Sequence, residues 1–278
     1  MFALPDHHVV TLRGRDAVAF AQAQFMSDVA ALAAGHWHWS GWLTPKGRVV
    51  ALFALLKNAA ETVHLVLQDR DPAEFAAQLR RFVFRSKLEI ETGAGLHVGG
   101  RFDAHPAAID ALVASDGDGI AFDLGGAGGA RTLFVTQNED AGEDAAAVAR
   151  WAMFDLAHGL PRLSEPQSGQ WTPQQLSLER LQAYSVKKGC YPGQEIVART
   201  HFLGQAKRGL ALFECEGLVA AGQQVMDAER PLGTIASTAG DGTRHLALAV
   251  LPLEARTDAA SVDGLGLRPI PLLDGLAR

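Results

Sequence analysis

Cysteine is nearly absent from this chain of 278 residues, which holds only Cys190 and Cys215. Two thiols exclude a disulfide-stapled scaffold and an all-cysteine iron–sulfur site within one chain, and they fit a reducing compartment such as the cytoplasm. Long apolar runs are missing too. The longest, over residues 49–56, stops at Lys57, well short of the roughly 20 residues that a membrane-spanning helix needs. Positive charge is in deficit, with 25 Lys and Arg against 31 Asp and Glu and a formal net charge of −6. A general nucleic-acid coat needs a cationic surface to displace counterions, so that class is excluded and direct tRNA binding is not expected. The stretch Met1-Phe-Ala-Leu-Pro-Asp-His-His8 lacks the basic start and apolar core of an export signal. Internal repeats and low-complexity tracts are absent as well.

What is present is an ordinary globular mixture, 48% hydrophobic and 20% charged, long enough for two domains. Gly14 and Asp16 open a predicted helix over 17–25, with Phe20 and Ala21 facing inward. Residues 36–43 alternate aromatic and polar side chains, Thr44-Pro-Lys-Gly47 is turn chemistry, and 48–56 returns as a buried strand, so a β-hairpin is expected. The alternation puts Trp37 and Trp39 on one face, with at least one of them in the core. Residues 63–67 read as another strand. Asp71-Pro-Ala-Glu74 combines an N-cap, a first-turn proline and an acid, which predicts a helix reaching 82. Segments 88–90, 96–98 and 132–135 read as strands, and 106–113 and 144–156 as helices. With no βαβ rhythm, the class is α+β. From Gly209 short apolar runs at 210–213, 234–236, 246–251 and 269–273 alternate with Gly, Asp and Pro turns. That texture predicts a small β-barrel or sandwich, a boundary near 205–209, and domains over 1–206 and 207–278.

The most distinctive stretch is Lys188-Gly-Cys-Tyr-Pro-Gly-Gln-Glu195. Two glycines flank a thiol, an aromatic ring and a proline, so the backbone turns tightly and approaches other groups closely. Lys187, Lys188 and Arg199 are cations near enough in sequence to favour the thiolate of Cys190. Between Gln170 and Leu210, Arg180, Lys187, Lys188, Arg199, Lys207 and Arg208 outnumber Glu179 and Glu195, a local net charge of +4. Such a strip suits an anion, a glutamate tail or a phosphate. Ordinary roles compete: a lone cysteine is commonly a packed hydrophobe, which suits Cys215, and a Lys/Arg cluster is commonly a solvated face. His7-His8 and the His36, His38 pair have no third ligand at suggestive spacing, so no metal site is expected.

Followed by Val197-Ala-Arg199, this stretch resembles the signature of the YgfZ folate-binding family. Gly169-Gln-Trp-Thr-Pro-Gln174 and Lys207-Arg208 fit the same pattern, and Thr44-Pro-Lys-Gly-Arg48 and Gly14-Arg-Asp16 fit it more loosely. The resemblance implies the fold of the glycine-cleavage aminomethyltransferase: an α+β body of two interleaved subdomains around a central channel, then a C-terminal β-barrel. It also implies tetrahydrofolate or a related reduced folate as ligand. The implied partners are iron–sulfur proteins or their assembly factors, through which such a protein supports tRNA modification. The signature positions become Lys188, Gly189, Cys190, Tyr191, Gly193, Gln194, Glu195 and Arg199, with Cys190 as the functional thiol. The family's folate contacts fall on Trp151, ahead of Gly159-Leu-Pro161, and on His7, where relatives carry a tryptophan. Imidazole still stacks on a pterin, over a smaller area. A folate-dependent one-carbon transferase is the alternative. Its acidic pair, however, falls on Ala51 and Leu52, and Ala157 and His158 stand where a glutamate is expected. Alanine and leucine cannot polarise a folate nitrogen, so an accessory role without classical turnover is the expectation.

Overall fold

Apolar residues at every second position build two antiparallel sheets in the first half of the chain, and a third set of strands closes on itself near the C-terminus. In a computed structural model describing residues 1–93, 95–117, 119–138, 141–204 and 206–278, the order begins with β1 (Phe2–Ala3), β2 (His7–Arg13), α1 (Ala17–Gln24), β3 (His36–Leu43), β4 (Val49–Ala59), β5 (Thr62–Gln68) and α2 (Pro72–Arg80). It continues with β6 (Glu89–Thr92), β7 (His97–Arg101), β8 (Ala114–Asp116), β9 (Gly119–Asp123), β10 (Thr132–Thr136), α3 (Ala145–Ala157) and α4 (Gln194–Leu203). The last strands are β11 (Arg208–Cys215), β12 (Gln224–Asp227), β13 (Arg230–Gly240), β14 (His245–Pro252), β15 (Ala260–Val262) and β16 (Leu265–Ile270). One sheet has the order β3-β4-β5-β2-β6, the second β1-β7-β10-β9-β8, and the barrel β11-β14-β13-β12-β15-β16. This is an α+β body followed by a C-terminal β-barrel, as expected.

The pleat divides the first sheet into two faces. Val10, Leu12, Phe53, Leu55, Leu65 and Leu67 face α1 and α2, where they meet Phe20, Ala21, Phe75 and Leu79. Trp37, Trp39, Ala54, Leu56 and Val66 point the other way, toward Phe122, Leu133 and Val135 of the second sheet and Trp151 of α3. Both Trp37 and Trp39 are therefore core. Asp71 caps α2 as expected, accepting from the Glu74 N–H at 2.7 Å, although the helix ends at Arg80 rather than 82.

Three expectations need correction. Residues 106–113 are turns, not a helix, because their backbone is spent on the edge of β3: Trp37 N–H donates to Ala111 and Val113 N–H donates to Gly35. Tertiary pairing outweighs local propensity there. Helix α4 was not anticipated. Finally, the barrel strands stop at Ile270, and residues 271–278 return to the body. Trp39 Nε1 donates to the Leu276 carbonyl at 2.7 Å, and Leu273 N–H donates to Ala157. Of the boundary region 205–209, Gln205 lies outside the described residues. Among the described residues no helix is long and apolar enough to cross a membrane.

Candidate functional site

The two positions that the resemblance gives to folate, His7 and Trp151, lie edge to face with ring centroids 6.5 Å apart. His7 opens β2 opposite Gln68, which places Asp69 beside it. Trp151 and Asp155 are one helical turn apart on α3 and so share a face. Trp151 is fully buried, with the edge of Phe2 at 5.9 Å. The guanidinium of Arg131 lies 4.2 Å from the Trp151 ring and 4.1 Å from that of Phe154. Arg131 donates to Asp155 Oδ1 at 2.5 Å, to the Leu124 carbonyl at 3.1 Å and to the Trp151 carbonyl at 3.3 Å. Arg162 grips Asp69 through Nε and Nη2 at 2.5 and 2.6 Å, and its Nη1 stands 3.6 Å from Asp155 Oδ2.

Burial, reinforced by Arg162 and Arg131, holds the His7 imidazole well below its ordinary value, so the ring is neutral at neutral pH. Both of its nitrogens, Trp151 Nε1 and Asp155 Oδ2 are buried without a hydrogen-bond partner among the described residues. Buried polar groups are almost always bonded, and each unmade bond costs about 1–3 kcal/mol. A neutral imidazole offers one donor and one acceptor, the indole a donor, and the carboxylate an acceptor. Donors and acceptors of this kind are what the edges of a flat heterocycle such as a pterin require, so the hydrogen-bonding chemistry of these residues suits that group.

The signature forms a second unit. Gly193 adopts φ 79°, and a Cβ there would stand 2.6 Å from Gly47 Cα and 2.7 Å from the Thr44 carbonyl. Only glycine permits both the backbone and the approach. The signature loop thus docks directly on the Thr44–Gly47 turn. The 169–174 segment lies alongside: Gly169 N–H donates to Val49 and Val49 N–H to Trp171, each at 2.8 Å, while Arg48 Nη1 donates to the Gln170 carbonyl at 2.7 Å. Gln174 Nε2 reaches the Val197 carbonyl at 2.9 Å. Within the loop, Gln194 Nε2 donates to the Lys188 carbonyl at 2.9 Å and the Tyr191 hydroxyl to the Ser185 carbonyl at 3.1 Å. Burial pushes the Tyr191 hydroxyl up to about 12. Gly189, Cys190, Glu195 and Arg199 are exposed. Cys215 is buried, its thiol pushed up to about 11 by that burial.

Lys188 does not fold over Cys190, which corrects the expectation that it favours the thiolate. Its side chain runs inward, and Nζ donates to the carbonyls of Gln22, Phe25 and Ser27 at 2.5, 2.6 and 2.7 Å. These oxygens belong to the end of α1 and the residues just past it, where free carbonyls and the helix dipole draw a cation. Burial lowers the ammonium to about 8, with Asp28 opposing. The +4 strip is likewise not one surface, since Lys188 is interior and Arg180 is bound to Asp274 and the Leu273 carbonyl. Ala51 and Leu52 are both buried among apolar neighbours. His38 is a satisfied histidine, 2.8 Å from Ser27 Oγ and lowered to about 4 by burial and by Lys188.

No family model matches the chain. Relatives do. The tRNA-modifying protein YgfZ of Serratia proteamaculans is 29% identical over 311 aligned positions, covering 98% of this chain and 92% of its own length. Its namesake from Aliivibrio fischeri is 26% identical over 274 positions, covering 92% and 86%. The chain is thus similar to the YgfZ proteins over most of its length. Its structure matches the crystal structure of glycine cleavage system aminomethyltransferase T from Bartonella henselae with a TM-score of 0.73 at 14% identity, covering 98% of this chain and 85% of that one. Of the residues in this buried cluster, the sequence pointed to His7 and Trp151 and not to Asp69, Arg131, Asp155 or Arg162. Arg162 and Asp69 are 93 residues apart, and no motif joins them. The one available signal was the four-residue spacing of Trp151 and Asp155.

Proposed function

We propose that the protein binds a reduced folate of the tetrahydrofolate type at the His7, Trp151 and Asp155 cluster. On this reading it is a cytoplasmic accessory protein for iron–sulfur cluster assembly or repair, and thereby supports tRNA modification. The observation that carries the folate reading is the group of buried polar atoms on those three residues that have no hydrogen-bond partner among the described residues. Trp151 would present its ring and N–H to the pterin, Asp155 would accept from its ring N–H and amino groups, and neutral His7 would supply a donor or acceptor. Bound tetrahydrofolate supplies nitrogens able to carry one-carbon units. The tRNA role rests on the likeness to proteins named as tRNA-modifying. Exposed Cys190, on a loop anchored by Lys188 and Gly193, is the thiol assigned to iron–sulfur clients. Aminomethyl transfer lacks its acidic pair, since Ala51 and Leu52 hold those places.

Calorimetry with a panel of reduced folates tests the site. Trp151→Ala should weaken binding by about 1–3 kcal/mol. Trp151→Phe, which keeps a ring and loses the N–H, covers the case in which alanine unfolds the core. Wild-type affinity in a folded Trp151 variant would remove the residue from the site and the reading with it. Cys190→Ala should keep folate binding yet fail to restore iron–sulfur enzyme activity in cells lacking the protein.

A further inference from the structure

Helix α4 follows the signature directly, and Val197 is its one buried residue. Phe202 is 65% exposed and Leu203 84% exposed. Arg199, Phe202 and Leu203 stand at i, i+3 and i+4, hence on one face. The His201 ring meets Phe202 edge to face at 4.9 Å, so the aromatic surface extends around the end of the helix. Exposed cations lie at both ends of α4. Lys46 precedes Gly47, whose Cβ position lies 2.9 Å from Ile196. Lys187 precedes the exposed Cys190 loop, and Lys207 follows the helix. Lys46, Lys187, Arg199 and Lys207 form no ion pair among the described residues. Exposed rings also stand among cations just past α2, at Phe82 and Phe84 beside Arg81 and Arg85; the α4 patch is the one that adjoins the signature loop.

We infer that the α4 face, with Lys46, Lys187 and Lys207 around it, is a docking surface for tRNA. Ammonium and guanidinium groups meet phosphates, and exposed rings give unpaired bases a stacking platform. The surface lies outside the His7, Trp151 and Asp155 cluster, so its occupation and folate binding are separate events. An acidic protein would satisfy the cations equally, but it gives no use for the exposed ring pair at the helix end. The choice of tRNA over other RNA rests on the proposed role in tRNA modification, and it replaces the expectation, drawn from the net charge of −6, that tRNA is not bound directly.

Fluorescence anisotropy with labelled bulk tRNA and the full-length protein tests the inference. Binding should weaken steeply with added salt. The double variant Lys187→Glu with Lys207→Glu should weaken it about tenfold or more. Phe202→Ala should weaken it about fivefold or more. Both variants should bind reduced folate as wild type does. Polyglutamate competing as well as tRNA, or wild-type tRNA affinity in Phe202→Ala, would make this a surface for acidic proteins and overturn the inference. So would an absence of tRNA binding at low salt. Intact tRNA binding in a protein that binds no folate would remove the folate reading and leave this surface standing.

Discussion

Asp155 and Arg131 are both wholly shielded from solvent and 2.5 Å apart, so neither charge has water to fall back on. Removing one partner of such a pair strands the other, which costs about 3–5 kcal/mol, whereas replacing both with apolar residues is often neutral or better. Asp155→Ala should therefore lower the urea midpoint sharply, and Arg131→Met combined with Asp155→Leu should recover much of the loss. A double variant as stable as wild type that no longer binds folate would show that the pair is kept for the ligand rather than for the fold. The buried histidines give a second prediction. His38 and His64 are lowered from 6.5 to about 4, in both cases chiefly by burial. With folded-state values depressed, their contribution is complete above pH 6.5. It is lost as pH falls through 4, because the unfolded chain takes up protons that the native chain refuses. Each histidine adds up to about 1.4 kcal/mol per pH unit to the slope within that window. Urea midpoints measured from pH 7 down to 4.5 should fall, and His64→Gln should flatten the decline. None of this was legible residue by residue: His7 and Trp151 came from a family pattern. Lys188 misled because a charge count along the chain is blind to the inward path of a long side chain.

Among elements, those written by a short period were legible and those written by tertiary pairing were not. Alternation over 36–43 and the turn at Thr44–Gly47 gave the hairpin, and the cap at Asp71 gave α2. Residues 106–113 offered helix formers, yet their N–H and C=O groups complete the edge of β3. Helix α4 escaped notice because it has one buried residue and so no apolar stripe to reveal it. The joint between signature and hairpin is the clearest consequence at this scale. Gly193 combines a left-handed backbone with a Cβ position 2.6 Å from Gly47 Cα. Backbone on backbone cannot give way cheaply, and the conformation itself costs an L-residue of order 1–3 kcal/mol. Gly193→Ala should lower the melting temperature and detach the loop from the turn. Timed alkylation would then show Cys190, already exposed, unchanged or faster, while Cys215 stays protected until unfolding. A Gly193→Ala protein with wild-type melting temperature would mean that the two segments do not depend on that contact.

For the molecule as a whole, the change of texture near Gly209 announced the barrel, but nothing in the sequence said that the chain would come back. Residues 271–278 leave the barrel and bond to three parts of the body. Leu273 meets the end of α3, Asp274 receives Ala127 N–H, and Leu276 receives Trp39 Nε1. Arg162 adds a tie near the candidate folate site, its N–H donating to Ser237 of β13 at 2.9 Å while its side chain holds Asp69. The body is thus fastened to the barrel both at the site and at the tail, and the two should unfold together in a single transition. Truncation after Leu272 removes the acceptor of a buried indole N–H, at a cost of about 1–3 kcal/mol. It also removes Leu276, itself buried beside Trp39. Calorimetric melting of the truncated chain should show a lowered first transition, carrying the tryptophan fluorescence change, separated from a later barrel transition. The barrel contains no tryptophan, since all five lie at or before position 171, so fluorescence reports the body alone. Coincident fluorescence and calorimetric transitions in the truncated protein would show that Arg162 and the packing of α3 on β13 and β14 suffice to couple the two parts.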